Sequence, residues 1–261
     1  MANEDGSKAA DAAKRALEQI ERALIKQITA LVSKLDTERG DSALLSDKEA
    51  LANASKIRSQ IVRAMEEQAL ASIATEVDRA ALDAARAVAD SLDMGDFNPD
   101  VVREIEGIIS GQMAEVTDAF SKGADQIAEA MRLGVTTGDS LDNAIANVAD
   151  AVHASFAKAQ AAVDAAIMGA GRKVAVDDAT AAQDAAGEPI VMLYVGPDDQ
   201  KTRDFCAEYV GKAVRLDDLG KLDNGTDLDA ETFGGGYNCR HSWAAMLRSE
   251  AEAQGIEIVE V

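Results

Sequence analysis

The chain has 261 residues, a formal net charge of −21 and only 3% aromatic residues. Because phosphate contacts need clustered lysine and arginine, this charge excludes a protein that coats DNA or RNA, and we expect no specific nucleic acid binding. A helical core built from Ala, Leu, Ile and Val buries little apolar area per helix. We therefore expect a subunit of a homo- or hetero-oligomer rather than a self-sufficient monomer.

The start of the chain has no apolar run behind a basic segment, which is what a secretory signal needs. No uninterrupted apolar stretch reaches the roughly 18 residues of a spanning helix. We expect neither export nor a membrane partner, and a reducing aqueous compartment. Two cysteines do not form a disulfide framework.

The first predicted helix covers about residues 10–36. Its apolar residues follow an a/d pattern with charged residues between them, at Leu17, Ile20, Leu24, Ile28, Leu31 and Leu35. This pattern is typical of a coiled coil, and packing against the rest of the same chain explains it equally well.

Three further helices are predicted, at about residues 47–92, 99–133 and 140–168. Ser46 is suited to cap the second helix, and Asn98-Pro99 is suited to start the third. The third helix contains three glycines, which indicate either the close approach of a neighbouring helix or a kink, at Gly107, Gly111 and Gly123.

Residues 170–187 are rich in Gly and Ala and are predicted to be a linker. Residues 188–261 follow as a compact α+β domain, which contains six of the nine aromatic residues and both cysteines. The predicted fold class is therefore mainly α, with long N-terminal helices in a bundle or coiled-coil arm and a small α+β domain at the C-terminus.

Within this domain Ile190–Val195 is the best strand candidate, and residues 202–210 are predicted to form a short helix. A final helix is predicted from about residue 242, and residues 256–261 are a candidate strand beside Ile190–Val195. The glycine triplet at residues 234–236 allows a tight turn. We expect this turn to bring together a core of Tyr194, Phe205, Cys206, Tyr237, Cys239 and Trp243.

Cys206, Cys239 and His241 are candidate zinc ligands, with Asp198 or Asp204 as a fourth. The paired cysteine knuckles of most structural zinc sites are missing from the sequence, so a cofactor-free pair of buried, reduced cysteines is favoured, and a disulfide is the third option. A Cys–His nucleophile has no evident oxyanion element.

Three weaker signals are interpreted as structural. The glycine triplet is not followed by the Lys-Ser/Thr of a phosphate loop. The acidic segment at residues 217–229 lacks the spacing and terminal Glu of a calcium loop. His153 lies in an Ala-rich helix without a catalytic neighbour, and we expect it at the helix surface or core edge.

Two segments resemble the C-terminal signature of the phage Mu protein F-like minor head proteins, over about residues 131–245. One segment runs from Asp198 to Cys206, followed by Gly211, and the other from Gly235 to Trp243. The residues that carry the resemblance are Asp198, Asp199, Thr202, Arg203, Gly211, Asn238, Arg240 and His241, with the two cysteines. Thr202-Arg203 reverses the commoner Arg-Thr order, and residues 162–166 lack the family's Ala-Arg-Thr-Glu-like segment.

The resemblance implies a structural, non-enzymatic minor protein of a tailed-phage head. Such a protein is made in the cytoplasm of the host bacterium, is carried in the virion at the head or its vertex, contacts the portal or other virion proteins and acts in head morphogenesis. Two alternatives stay open from the residues alone. One is a zinc-dependent hydrolase or toxin-like effector using Cys206, Cys239 and His241; the other is an oligomeric helical adaptor or scaffold.

Overall fold

The computed structural model describes residues 11, 13–26, 29–30, 59, 70–92, 94, 98–137 and 141–261. Its long helices are α1 (Ala71–Ser91), α2 (Pro99–Thr137) and α3 (Leu141–Ala186), followed by a small four-stranded sheet. The predicted fold class is therefore confirmed. Within the described ranges, no helix combines the length and apolarity needed to cross a membrane.

The early helices agree with the sequence patterns where they are described. Residues 13–26 are helical, and Leu17 and Leu24 of the a/d pattern are buried by the chain itself. The later members of that pattern, from Ile28 onwards, lie outside the described residues, as does most of 47–69. Helix α2 begins at Pro99 as predicted, and Asn98 Oδ1 accepts a hydrogen bond from the Asp100 amide at 3.0 Å.

The described chain divides into two compact units. One contains the described residues between Ala12 and Glu76 and between Met113 and Gln160. In this unit the Phe120 and Phe156 rings pack 4.9 Å apart, and a side chain at Gly123 would overlap Ser155. Gly123 is therefore a point of close helix approach, whereas Gly107 and Gly111 have open space where a Cβ would lie.

The other unit contains Val77–Gln112 and Ala161–Val261, and it includes the whole sheet. The prediction of a linker at residues 170–187 is wrong, because α3 continues through them to Ala186. Val176 and Ala179 are buried in the core under the sheet, and Gly169 lies where a Cβ would be 3.2 Å from Phe233. The small residues that resemble a linker therefore permit close packing within a helix.

The sheet has the strand order β3-β1-β2-β4. Strand β1 (Ile190–Val195) lies where the sequence predicts it, and the short helix α4 (Asp204–Tyr209) follows. Strand β2 (Ala213–Arg215) pairs antiparallel with β1, with Met192 opposite Val214. A 3₁₀ helix at Leu216–Lys221 and the short helix α5 (Ala230–Phe233) follow β2.

The end of the chain differs from prediction in two ways. Residues 242–247 form strand β3 (Ser242–Leu247), and only Arg248–Ala253 is helical, as α6. All six residues of β3 pair antiparallel with β1, and this pairing overrides the helix propensity of Ala, Met and Leu. Strand β4 (Ile258–Val259) pairs parallel with β2 rather than beside β1, since β3 and β2 already occupy both edges of β1.

Both faces of the sheet are covered. Met192, Tyr194 and Trp243 lie on one face, in a core shared with the last turns of α3. Val191 and Ala213 lie on the other face, where they pack with Ala251 of α6. Strand β1 is thus the centre of the C-terminal α+β module, residues 188–261, and the hydroxyl of its Tyr194 contacts both Cys206 and Cys239.

Candidate functional site

The structure brings Cys206, Cys239 and His241 together in the core under β1. Cys206 lies on α4, whereas Cys239 and His241 lie in the segment that enters β3. The two sulfur atoms are 3.8 Å apart, and both cysteines are free. His241 Nδ1 lies 3.9 Å from Cys239 Sγ, and all three residues are buried. The two candidate fourth ligands, Asp198 and Asp204, are exposed and do not belong to this cluster.

Tyr194 of β1 places its hydroxyl between the two thiols. Its oxygen lies 3.1 Å from Cys239 Sγ and 3.5 Å from Cys206 Sγ, and it accepts a hydrogen bond from the Gly235 amide at 3.0 Å. The Tyr194 ring stacks on the His241 imidazole and packs 4.4 Å from Trp243. The cluster is therefore enclosed by aromatic rings as well as by the sheet.

The glycine triplet makes room for these groups. A Cβ at Gly235 would overlap Cys206 Sγ, and a Cβ at Gly234 would lie 2.7 Å from the Tyr194 hydroxyl. Gly234 and Gly236 have φ values of +57° and +86°, which L-amino acids rarely adopt. Two of the three glycines are thus required by backbone conformation, and Gly235 is required by the space that the sulfur atom occupies.

Arg172 of α3 lies directly behind the cluster and is 1% exposed. It donates hydrogen bonds to the main-chain oxygens of His241 and Cys239, both at 2.8 Å, and of Thr232 at 3.3 Å. Among the described residues, no carboxylate forms an ion pair with it. The sequence offers no signal for this role of Arg172, which stands beside Lys173 among Gly, Ala and Val.

The contact between the two thiols shifts their pKa values in opposite directions. The hydrogen bond from Cys206 lowers the pKa of Cys239 well below its usual value; burial opposes this effect, and the Arg172 guanidinium assists it. The same hydrogen bond, together with burial, raises the pKa of Cys206. Cys239 is therefore the more acidic thiol, and a thiolate there is held by a buried cation and by hydrogen bonds.

Outside the cluster, surface contacts join the segment at residues 198–206 to the segment at residues 235–243. Arg240 forms a two-pronged ion pair with Asp199, with Nη1 2.8 Å from Oδ2. Arg203 Nη1 donates to the Gly235 carbonyl at 2.6 Å. Thr202 closes the turn before α4, because its hydroxyl accepts from the Asp199 amide at 2.8 Å. The hydrogen bond from Arg240 also holds the pKa of Asp199 well below its usual range.

The remaining predicted residues have simpler roles. Gly211 and Asn238 adopt positive φ values of +79° and +57° in turns. Trp243 is buried and donates from Nε1 to the Ala230 carbonyl at 3.2 Å. Phe205 is half-buried against the core, and Tyr237 is half-buried.

The other candidate signals do not form a metal site among the described residues. In the acidic segment, Asp218 accepts a hydrogen bond from Lys221 at 2.6 Å, and Asp229 caps α5. His153 is exposed and contacts Glu21.

The fold and the site together describe a helical protein with a small C-terminal α+β module, whose core contains a buried cluster of two thiols and an imidazole. In comparisons with known proteins, no family model, no curated protein and no solved structure matches this chain.

Proposed function

We propose that this chain is a structural minor head protein of a tailed phage, which is associated with the portal and acts in head morphogenesis. One observation carries the proposal: the two segments that resemble the Mu protein F-like signature fold against each other. Asp199 pairs with Arg240, Arg203 binds the Gly235 carbonyl, and Cys206 contacts Cys239. Two segments that are distant in sequence but form one motif are expected to contact each other in the folded domain.

Burial of the cluster supports a non-enzymatic role. Cys239 is 7% exposed and His241 is 2% exposed, so neither offers a substrate an accessible nucleophile or base. The Tyr194 hydroxyl contacts both sulfur atoms. A hydrolase needs an open position at its reacting centre, and this enclosure therefore counts against the hydrolase alternative.

The connection between helix and module supports a role as a spacer or strut. Helix α3 ends at Ala186, and its residues Val176 and Ala179 lie in the same core as Trp243. The module is thus held directly by a long helix rather than by a linker. In our proposal the module docks on another virion protein, and the helices position or oligomerise it.

Complementation of a deletion tests this proposal. In a phage that encodes this chain, we expect deletion of the gene to reduce the yield of infectious, DNA-filled heads, and the wild-type gene to restore it. Arg240→Ala removes an exposed motif side chain, and loss of an arginine that is a binding hot spot weakens docking by about 2 kcal/mol or more, roughly 30-fold. We therefore expect poor complementation by Arg240→Ala, measured as infectious titre.

Arg248→Ala is the matched control. Arg248 is an equally exposed arginine in the same module, with 40% side-chain exposure against 42% for Arg240, and it is also paired with an acid. It lies outside the motif, so Arg248→Ala should restore the titre. Full complementation by Arg240→Ala, or normal head yield after deletion, would contradict the proposal.

A further inference from the structure

We propose that Cys206, Cys239 and His241 bind a structural zinc ion, and that the hydroxyl of Tyr194 completes the coordination. This inference goes beyond the proposed function, since a zinc site would exist whatever particle or partner the chain joins. It depends on the geometry of four side chains from β1, α4 and the segment before β3.

The spacing of the donor atoms fits a tetrahedral ion. With Zn–S bonds of roughly 2.3 Å, two sulfur ligands lie about 3.8 Å apart, and a sulfur and a nitrogen lie about 3.6 Å apart. The Cys206 and Cys239 sulfurs are 3.8 Å apart, and His241 Nδ1 is 3.9 Å from Cys239 Sγ. All three donor atoms lie within 4.8 Å of one another, and zinc binding would draw the more distant atoms together to the tetrahedral spacing.

The imidazole of His241 points independently to a ligand. It is 2% exposed, the Cys239 sulfur lies 3.9 Å from Nδ1, and Nε2 has no hydrogen-bond partner among the described residues. Buried polar groups normally have partners, because an unsatisfied one costs roughly 1–3 kcal/mol. A metal bond to Nδ1 would replace the long contact to sulfur with a strong bond, whereas Nε2, on the other side of the ring, would not be a ligand.

The protein also holds the ligand residues in place. Arg172 binds the main-chain oxygens of both Cys239 and His241, and the Gly235 amide donates to Cys239 Sγ at 3.2 Å. Groups of this kind fix the orientation of ligands and tune their affinity for the metal. A dication would balance the charge of two thiolates in a site that is closed to solvent.

The donor set selects the metal and its role. Two thiolates and an imidazole suit zinc better than magnesium or calcium, which prefer oxygen ligands. The Tyr194 oxygen lies 3.1 and 3.5 Å from the two sulfurs, close to the separation expected of a fourth ligand. With this position occupied by protein, the ion would be structural rather than catalytic.

Zinc analysis of the purified full-length chain tests the inference. The chain is purified under reducing conditions without chelator, loaded with excess zinc, desalted and analysed by plasma mass spectrometry. We expect stoichiometric zinc in the wild type and its loss in Cys239→Ser and His241→Asn. Replacement of zinc by Co²⁺ should give the visible spectrum of a tetrahedral thiolate site. Tyr194→Phe should weaken zinc affinity by at least about 10-fold in competition with a chromophoric chelator, since loss of a ligand should cost no less than loss of an outer-shell partner.

His153→Asn is the matched control, because His153 is the other histidine of the chain and is exposed. It should retain zinc. A measurement that needs no variant is the melting temperature of the wild type, which should fall with a chelator and recover with zinc but not with magnesium. Failure of the wild type to retain zinc, or full retention by His241→Asn, would overturn the site, and unchanged affinity in Tyr194→Phe would overturn its assignment as fourth ligand. None of these results bears on the complementation test.

Discussion

Arg172 organises the site through main-chain contacts rather than through an ion pair. Its guanidinium donates to three carbonyl oxygens, of Thr232, Cys239 and His241, which lie 60 to 69 residues further along the chain. Burial lowers the pKa of Arg172, and the adjacent Cys239 opposes this effect. The residue therefore ties helix α3 to the segment that carries the cluster.

Replacement of this arginine should destabilise the chain strongly. Arg172→Met keeps much of the length of the side chain but leaves three buried carbonyl oxygens without their donor. An unsatisfied buried group costs roughly 1–3 kcal/mol, so we expect the free energy of unfolding to fall by about 3 kcal/mol or more in urea denaturation. Arg103→Met is the control: Arg103 is 70% exposed in an i,i+3 pair, and its loss should change stability by at most about 0.5 kcal/mol. Equal effects of the two substitutions would contradict this role.

The sequence identifies the three residues at the centre of the site, but not the arginine that holds them in place. Cys206, Cys239 and His241 stand out by composition, and the structure brings them together. Asp198 and Asp204 lie near Cys206 in sequence, but the turn closed by Thr202 leaves both exposed. Arg172 could not be assigned from sequence, because its partners are backbone oxygens that any residue provides.

At the scale of elements, glycines have opposite roles in α2 and in the turn before β3. A side chain at Gly107 meets nothing within 4 Å, and the helix there would gain from a better helix former. A side chain at Gly235 would overlap Cys206 Sγ and approach the Phe205 ring to 3.6 Å. Gly235 does not have a positive φ, so only space limits a substitution there.

The two alanine substitutions should therefore change stability in opposite directions. Gly107→Ala should stabilise the chain by about 0.5–1 kcal/mol, through helix propensity. Gly235→Ala should destabilise it by about 1–3 kcal/mol, through overpacking. Urea denaturation of both full-length variants measures the difference, and a stabilising Gly235→Ala would show that the glycine triplet does not pack tightly on the thiols.

The elements that sequence reasoning predicted poorly are those decided by tertiary contacts. Residues 170–186 and 242–247 are rich in small or helix-favouring residues, so composition indicated a linker and a helix. Burial of Val176 under the sheet extends α3, and pairing with β1 makes Ser242–Leu247 a strand. By contrast, β1 and α4 carry strong local signals and were predicted correctly.

At the scale of the whole molecule, the net charge of −21 and the long helices agree with a protein that acts through protein partners rather than through nucleic acid. Oligomerisation remains a prediction, which is based on the small apolar area that a helical core with few aromatic residues buries. The unit that contains the sheet also includes Val77–Gln112, so removal of the residues before Ala161 would remove part of the module's own support.

Quantitative mass spectrometry of purified, DNA-filled particles is the most direct test of the central claim. Particles from a phage that encodes this chain are separated from free protein by density gradient and washed with high salt. Our account predicts that peptides of this chain remain with the particles at a fixed, low copy number relative to the major capsid protein. Absence of the chain from the particles, while it is abundant in the same lysate, would contradict it.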